Sequence, residues 1–576
     1  MKFWAETIID QLIQQGVTYF CISPGSRSTP LAIAVSENPR ATAFVHFDER
    51  GMAFHALGYA KATKKPAALI VTSGTAVGNL YPAVMEAHHS LTPLLILSAD
   101  RPPELRNNGA NQSCDQVKFF GDYVNYQVDL PCPDPALPDR YLSSIISHAV
   151  FKASHPPQGP VQINCMFREP FFTANQNLSH SFPTTQYETT HTIPSIDSFE
   201  RWGQILSETE KGVIVIGSLS SQSSLQPIYA LAEKLNWPIL ADITANARDS
   251  TQSIAYFEFI LKQYKHLRPE LILHFGDRLV SKTLLEWLDA PIYCLIAEHS
   301  LLHDPKHRTT HRICCNPSLF CEMMLPKTPT PAASWFDQWH NYSQEIEEKI
   351  TAFLAEESEL SEPGVVQALK EQLDPSWALF IANSMPIRDA DALFFPNQPT
   401  GPIFANRGLS GIDGNIATAV GISAGCQKGV IALIGDLTAL HDINSLAQVS
   451  KTPFPIIFIV INNAGGGIFS FLPVAEKATH FETFFATAHT IQFEKAAELF
   501  DLPYFHCATK ETWEDTLSQA LQANQSCLIE VTTDRKENLA LHKKMNQVLE
   551  PTSVKSFGRF SGSFQLKSAQ NNPKTR

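Results

Sequence analysis

Residues 431–469 constrain this chain most. They hold two apolar runs, 431–434 and 455–461, and each ends in oxygen-bearing polar residues: Gly435-Asp436 after the first, Asn462-Asn463 after the second. Residues 444–451 between them read as a helix. Such a strand–loop–helix–strand unit normally gives parallel strands. Parallel neighbours point their carboxyl ends the same way, so Asp436 and Asn463 are expected at one rim, where open α/β sheets bind ligands. A carboxylate and an amide carbonyl are hard oxygen donors, suited to Mg²⁺ that also holds phosphate oxygens. The run Gly465-Gly466-Gly467 lets backbone approach a phosphate closely. Asp and Asn are also common at strand ends as turn formers, so this stretch alone leaves both readings open.

The rest of the composition narrows the class. A chain of 576 residues suggests several domains and is long enough to bury large cores. A net charge of −13 argues against nucleic acid or an anionic membrane surface as the main partner. No run of 18 apolar residues occurs, so no membrane span is expected. Residues 1–16 space their apolar side chains as one helix face, interrupted by Glu6 and Asp10, unlike a signal segment. Eleven cysteines lie scattered without C-x-x-C pairs, which points to buried thiols in a reducing cytoplasm rather than disulfides or structural zinc. No G-x-G-x-x-G follows an expected strand, which disfavours a dehydrogenase.

Along the chain, apolar strands alternate with helices, and turn-rich loops follow the strand ends: 23–30, 48–51, 72–75 and 98–103. This is the pattern of a doubly wound parallel sheet. Polar and Pro/Thr-rich segments at 173–194 and 327–334 read as linkers. The expected class is therefore α/β, with three doubly wound units at 1–180, 190–330 and 335–550. Residues 551–576 form a basic, Ser/Asn-rich tail without acids, expected to be disordered. In the third unit the loop 404–414 is rich in Gly and Asn and precedes a helix over 415–426, a setting suited to close ligand approach.

Two such units flanking a third, a Glu that starts a helix in the first, and a Gly-Asp…Asn-Asn pair in the last resemble the thiamine-diphosphate-dependent enzymes. The family's third glycine is Leu437 here. The loops Ser23-Pro24-Gly25-Ser26-Arg27-Ser28, Asp48-Glu49-Arg50, Thr72-Ser73-Gly74-Thr75, Ala99-Asp100-Arg101-Pro102-Pro103, Gly109-Ala110-Asn111-Gln112, Asn406-Arg407-Gly408 and Gly435-Asp436-Leu437 resemble one branch, the synthases of menaquinone or phylloquinone biosynthesis, in which Leu at that place is usual. The resemblance implies a transferase. It would decarboxylate 2-oxoglutarate and add the succinyl-semialdehyde carbanion equivalent to isochorismate in a 1,4 fashion.

It also implies roles. Glu49 would hydrogen-bond the aminopyrimidine of thiamine diphosphate as the catalytic carboxylate. Ser73, Gly74, Ile412, Gly435, Asp436, Leu437, Asn463 and Gly465 would contact the cofactor, Ile412 as an apolar prop. Asp436, Asn463 and a carbonyl near Gly465 would ligate Mg²⁺ or Mn²⁺. Ser26, Arg27, Arg101, Gln112, Lys282, Ser384, Arg388, Arg407 and Phe469 would face the substrates. Both substrates carry two carboxylates, which bidentate arginines suit. Thr283 stands where some relatives carry a second basic residue. The family builds its sites between copies, so a homodimer or homotetramer is expected. The alternatives are another thiamine-diphosphate enzyme, such as an acetolactate synthase or 2-oxoacid decarboxylase, and a non-catalytic protein that keeps the fold.

Overall fold

The structure is a computed structural model that describes residues 1–550 except 135, 139, 172–182, 189, 220–222, 328–333 and 397. The expected disordered tail and the cores of both expected linkers lie outside the described residues.

Three parallel sheets follow one another. The first holds Tyr19–Ile22 (β1), Thr42–Val45 (β2), Ala67–Val71 (β3), Leu94–Asp100 (β4), Tyr126–Leu130 (β5) and Pro160–Met166 (β6), in the order β2-β1-β3-β4-β6-β5. The second holds Gly212–Ile216 (β7), Ile239–Ala241 (β8), Leu271–Phe275 (β9), Ile292–Ala297 (β10) and His311–Cys314 (β11), in the order β11-β10-β9-β7-β8. The third holds Trp377–Ile381 (β12), Ile403–Phe404 (β13), Gly429–Gly435 (β14), Ile456–Asn462 (β15), Tyr504–Cys507 (β16) and Cys527–Thr532 (β17), in the order β13-β12-β14-β15-β17-β16. Numbered within each sheet, the first and third share one order, 2-1-3-4-6-5. The second has 2-1-3-4-5. In each, the order reverses between the first and third strands, and the carboxyl ends of those two strands flank a crevice.

The central strands are short apolar runs because helices cover both faces of a parallel sheet. All residues of β3, β4 and β15 are buried. β14 and β15 pair in register from Val430↔Ile456 to Gly435↔Ile461, which sets Asp436 and Asn463 on neighbouring strand ends as expected. Between them the chain forms a helix Asp436–His441 and then a 3₁₀ helix Ile443–Lys451, where an ordinary helix is expected. Strands β5, β11, β12, β13, β16 and β17 go unassigned in the sequence reading. β5, β11, β13 and β16 are edge strands, and β12 and β17 lie inside the third sheet. All eleven cysteines are free, and no described helix is long and apolar enough to cross a membrane.

Helix Ser334–Glu356, read from the sequence as opening the third unit, also closes the second. Trp335 Nε1 donates to the Gly212 carbonyl at 2.9 Å, and Ser343 Oγ to that of Ala255 at 3.0 Å. Trp335 and Trp339 join a core that runs from Val213 to Leu549.

The first and third units meet through helices Glu49–Thr63 and Asn415–Cys426. Glycines let the two backbones touch. A Cβ on Gly58 would lie 2.2 Å from the Thr418 carbonyl oxygen, and one on Gly421 would lie 2.0 Å from that of His55. Neither contact can be relieved by a side-chain rotation. Gly421→Val should therefore destabilise the protein by about 3 kcal/mol or more, the upper end of overpacking effects. Gly78→Ala, in helix Thr75–Asn79 with its nearest neighbour 3.9 Å away, should be neutral or stabilising by up to ~1 kcal/mol. Urea unfolding of both variants checks the contrast.

Candidate functional site

The crevice of the third sheet opens into a cavity of about 340 Å³. It lies where β12 and β14 part. Asp436 is the first residue of its helix, and both carboxylate oxygens are fixed. Oδ1 accepts from Leu437 N–H at 2.6 Å and Oδ2 from Gly465 N–H at 2.8 Å. Burial pushes the Asp436 pKa up, opposed by those two amides and by His489. His489 accepts at Nδ1 from Ile491 N–H at 3.2 Å, so Nε2 holds the proton and stands 3.2 Å from Asp436 Oδ2. Asn463 Oδ1 is buried without a partner among the described residues. Its Nδ2 donates to Glu362 Oε1 at 2.8 Å. The preceding Asn462 is structural: its Nδ2 donates to the Ile491 carbonyl at 2.9 Å and to Glu530 at 2.6 Å. Gly465 has φ +143°, a region for glycine, and its carbonyl accepts from Gly467 N–H at 2.9 Å. Around Gly435 a Cβ would meet nothing within 4 Å, so the strand end faces open space.

Ile412, Leu437 and Phe469 form the apolar wall of the cavity, and Ser384, Arg388 and Arg407 its polar side. Arg407 donates to Asn383 Oδ1 at 2.7 Å; Asn383 in turn donates to the carbonyls of Asn406 and Gly411. Arg388 donates to the Ser384 carbonyl. Burial lowers the pKa of both guanidiniums, and the nearby Arg407 lowers that of Arg388 further. Two like charges held at one cavity favour an anion.

The other expected residues gather on the first sheet. Glu49 begins its helix, capped by Asp48, whose carboxylate accepts from Arg50 and Gly51 N–H. Glu49 Oε2 accepts from Asn79 Nδ2 at 3.1 Å. Ser73 and Gln112 exchange side-chain-to-backbone bonds of 2.9 and 3.0 Å, and Gly74 N–H donates to Gln116 at 3.0 Å. Arg101 donates twice to the Asn111 carbonyl. Arg27 is buried on the Phe167 carbonyl (2.7 Å), Glu169 (3.2 Å) and the Phe171 ring, beside exposed Ser26. None of these lines the Asp436 cavity. The four arginines expected to converge thus divide two and two within one chain. Lys282 departs further: its side chain is 87% exposed beside Glu286, because it occupies the outward first turn of helix Lys282–Trp287.

Three comparisons bear on this arrangement. Residues 4–119 match the model of the thiamine pyrophosphate enzyme N-terminal TPP binding domain, 174–381 that of the middle domain, and 389–531 that of the C-terminal TPP binding domain. A 2-succinyl-5-enolpyruvyl-6-hydroxy-3-cyclohexene-1-carboxylate synthase of Rubrobacter xylanophilus is 40% identical over 94% of this chain and 97% of its own. One of Salinibacter ruber is 37% identical over 95% and 96%. The chain belongs to this synthase family of thiamine-diphosphate-dependent enzymes. A benzoylformate decarboxylase of Polynucleobacter necessarius shares the fold, with a TM-score of 0.74 at 16% identity over 92% of this chain and 98% of its own.

Sequence reasoning missed several residues that shape this cavity and the loops around it. Glu362 and His489 carry no motif. Lys61 and Glu86 had a usable signal, charges on faces otherwise apolar. Their side chains are 10% and 3% exposed and pair at 3.0 Å. Glu86 accepts from Gly408 and Leu409 N–H at 2.9 and 2.7 Å, and Lys61 donates to the Ala405 carbonyl and Asn406 at 2.9 Å. A buried ion pair of the first unit thereby holds the Arg407 loop of the third. In the middle unit Asp277 Oδ1 lies 2.7 Å from His299 Nε2 and 2.8 Å from His303 Nδ1, a spacing a cation could bridge. Leu301 N–H donates to His299 Nδ1 at 3.2 Å. Nε2 must then carry the proton, so this cluster is a hydrogen-bond network and not a cation site. Removing one partner of a buried pair strands the other charge. Lys61→Ala should lower unfolding free energy by about 3–5 kcal/mol, measured by urea titration, against no resolvable change for a surface substitution such as Lys495→Ala.

Proposed function

We propose that this protein is a transferase requiring thiamine diphosphate and Mg²⁺ or Mn²⁺. It decarboxylates 2-oxoglutarate and adds the four-carbon remainder to isochorismate in a 1,4 fashion. The product is 2-succinyl-5-enolpyruvyl-6-hydroxy-3-cyclohexene-1-carboxylate, a step toward menaquinone or phylloquinone, made in the cytoplasm by a homo-oligomer. One observation carries the reading: in a chain of this synthase family, buried Asp436, the unpartnered Asn463 Oδ1 and two guanidiniums converge on a single cavity.

The residues fit the cation and cofactor. A buried carboxyl whose charge is disfavoured and an orphaned amide oxygen are both stabilised by a hard divalent ion. Asp436 and Asn463 would hold it, with a free lone pair of the Gly465 carbonyl. The open space at Gly435 would admit a diphosphate, and Ile412 and Leu437 would support the cofactor's apolar part. When bound, the thiamine group supplies the electron sink for loss of carbon dioxide. Glu49 would hold the cofactor's aminopyrimidine through a hydrogen bond made by its carboxyl group. Arg388 and Arg407 bind and orient substrate carboxylates, and Phe469 helps exclude water. These two arginines favour dianionic acids over pyruvate, which separates this reading from an acetolactate synthase.

A second copy completes the site. Glu49 is not among the cavity residues of its own chain, and its neighbours Val45 and Phe47 are 44% and 63% exposed. Both support burial against another chain, with Ser26, Arg27, Ser73, Gly74, Arg101 and Gln112 carried along.

Carbon dioxide release from 2-oxoglutarate with isochorismate should need both cofactors, and Glu49→Gln should cut kcat by about 10²–10⁴, the scale of proton-transfer catalysis. Full turnover without thiamine diphosphate, or an unaffected Gln variant, would overturn the assignment. Glu49→Gln and Asp436→Ala chains, each inactive, should recover about a quarter of wild-type activity when randomly mixed, because half the dimers then hold one intact site of two. No recovery would place both residues in one chain's site.

A further inference from the structure

We infer that Glu362 is a positioning residue: by accepting from Asn463 Nδ2, it locks that amide with Oδ1 toward the cation. The inference rests on the cation site proposed above and adds a residue that no family motif marks.

An asparagine amide is nearly symmetric in shape but not in chemistry. Rotation by 180° about Cβ–Cγ exchanges oxygen and nitrogen. Only the oxygen can ligate a hard cation; the NH₂ group would point two donors at it. Some group must therefore choose between the two states. Backbone interactions cannot do so, because they leave that rotation free: Arg535 Nε holds the Asn463 carbonyl at 3.1 Å, not the side chain. Among the described residues the amide makes one hydrogen bond, 2.8 Å from Nδ2 to Glu362 Oε1, while Oδ1 is buried and unpartnered.

Glu362 suits the task because an ionised carboxylate only accepts, and a carboxyl that carries its proton on Oε2 still accepts at Oε1. Thr533 Oγ1 also donates to Oε1, at 3.4 Å. The side chain is 1% exposed and starts helix Glu362–Gln372, whose first turn is tied by Ser361 Oγ accepting from Gly364 N–H at 3.2 Å. Val365, Val366 and Leu369 anchor that helix in the core. The carboxyl itself does little for the fold: Oε2 has no partner among the described residues, and Asp389 Oδ2 is likewise buried and unpaired. Its use lies in the contact with Asn463.

The test measures Mn²⁺ affinity of the full-length protein with saturating thiamine diphosphate, from the electron paramagnetic resonance signal of free Mn²⁺. Glu362→Met fills similar volume but cannot accept. It should weaken Mn²⁺ binding about 10–100-fold, the usual effect of losing a ligand's supporting partner, with the melting temperature of the cofactor-free protein unchanged or raised. Glu362→Gln keeps a carbonyl acceptor for Nδ2 and should stay within about threefold of wild type, less than one neutral hydrogen bond. Wild-type affinity in the Met variant would overturn the inference. So would a Gln variant as weak as Met, since charge rather than amide orientation would then govern binding. Should the Met variant fail to fold, Glu362→Leu replaces it with the same two readings. If the unaltered protein binds no Mn²⁺ with the cofactor present, the functional reading itself falls.

Discussion

Backbone meets backbone where helix Glu49–Thr63 packs on helix Asn415–Cys426, and the remaining geometry follows from that contact. Gly58 and Gly421 leave no side chain between the helices, so the first and third sheets hold a fixed relation. Polar ties finish the seam. Arg50 donates to the His441 carbonyl at 3.0 Å, Asn444 to Asp48, and Lys451 to the Val45 carbonyl at 2.6 Å. Glu49, at the start of one helix, and Asp436, just past the end of the other's following strand, are placed by the same packing.

Each doubly wound sheet offers a crevice where its strand order reverses, and the chain uses them differently. The third-sheet crevice is lined by glycines, hard oxygen donors and guanidiniums. The first-sheet crevice is closed by the mutual bonds of Ser73 and Gln112 and presents its carboxylate outward. In the second, Gly217 and Gly276 bring the strand-end loops within contact of the Asp277 and Ser218 carbonyls. The fold buries charge around the first and third crevices and also at the Arg248–Asp391 pair, which ties the second unit to the third. Lys61–Glu86 serves a loop that must not move, which is a reason to bury a charge that apolar packing alone does not supply.

Much of the fold was legible. Buried parallel strands are continuous apolar runs, so the expected run 431–434 falls in β14, the run 455–461 overlaps β15, and helix Asn415–Cys426 stands at its expected bounds. Edge strands such as β5, β11 and β16 were not, because half-exposed segments lose the apolar run that marks a strand. The 3₁₀ geometry of Ile443–Lys451 was hidden too: the pattern of apolar residues is the same for neighbouring helix types, and tertiary packing selects between them.

By itself the sequence determined the composition of the site. Residue type decides what can ligate, accept or carry charge, so Asp436 and Asn463 could be named from their strand ends, and the family resemblance added Glu49, Ile412, Arg388 and Arg407. Only the tertiary structure decided which of them share a cavity. It separated the arginines two and two, turned Lys282 to the surface, and set Glu362 against Asn463 across about a hundred residues of chain. Those outcomes depend on side-chain direction and on contacts remote in sequence, and no local pattern encodes either.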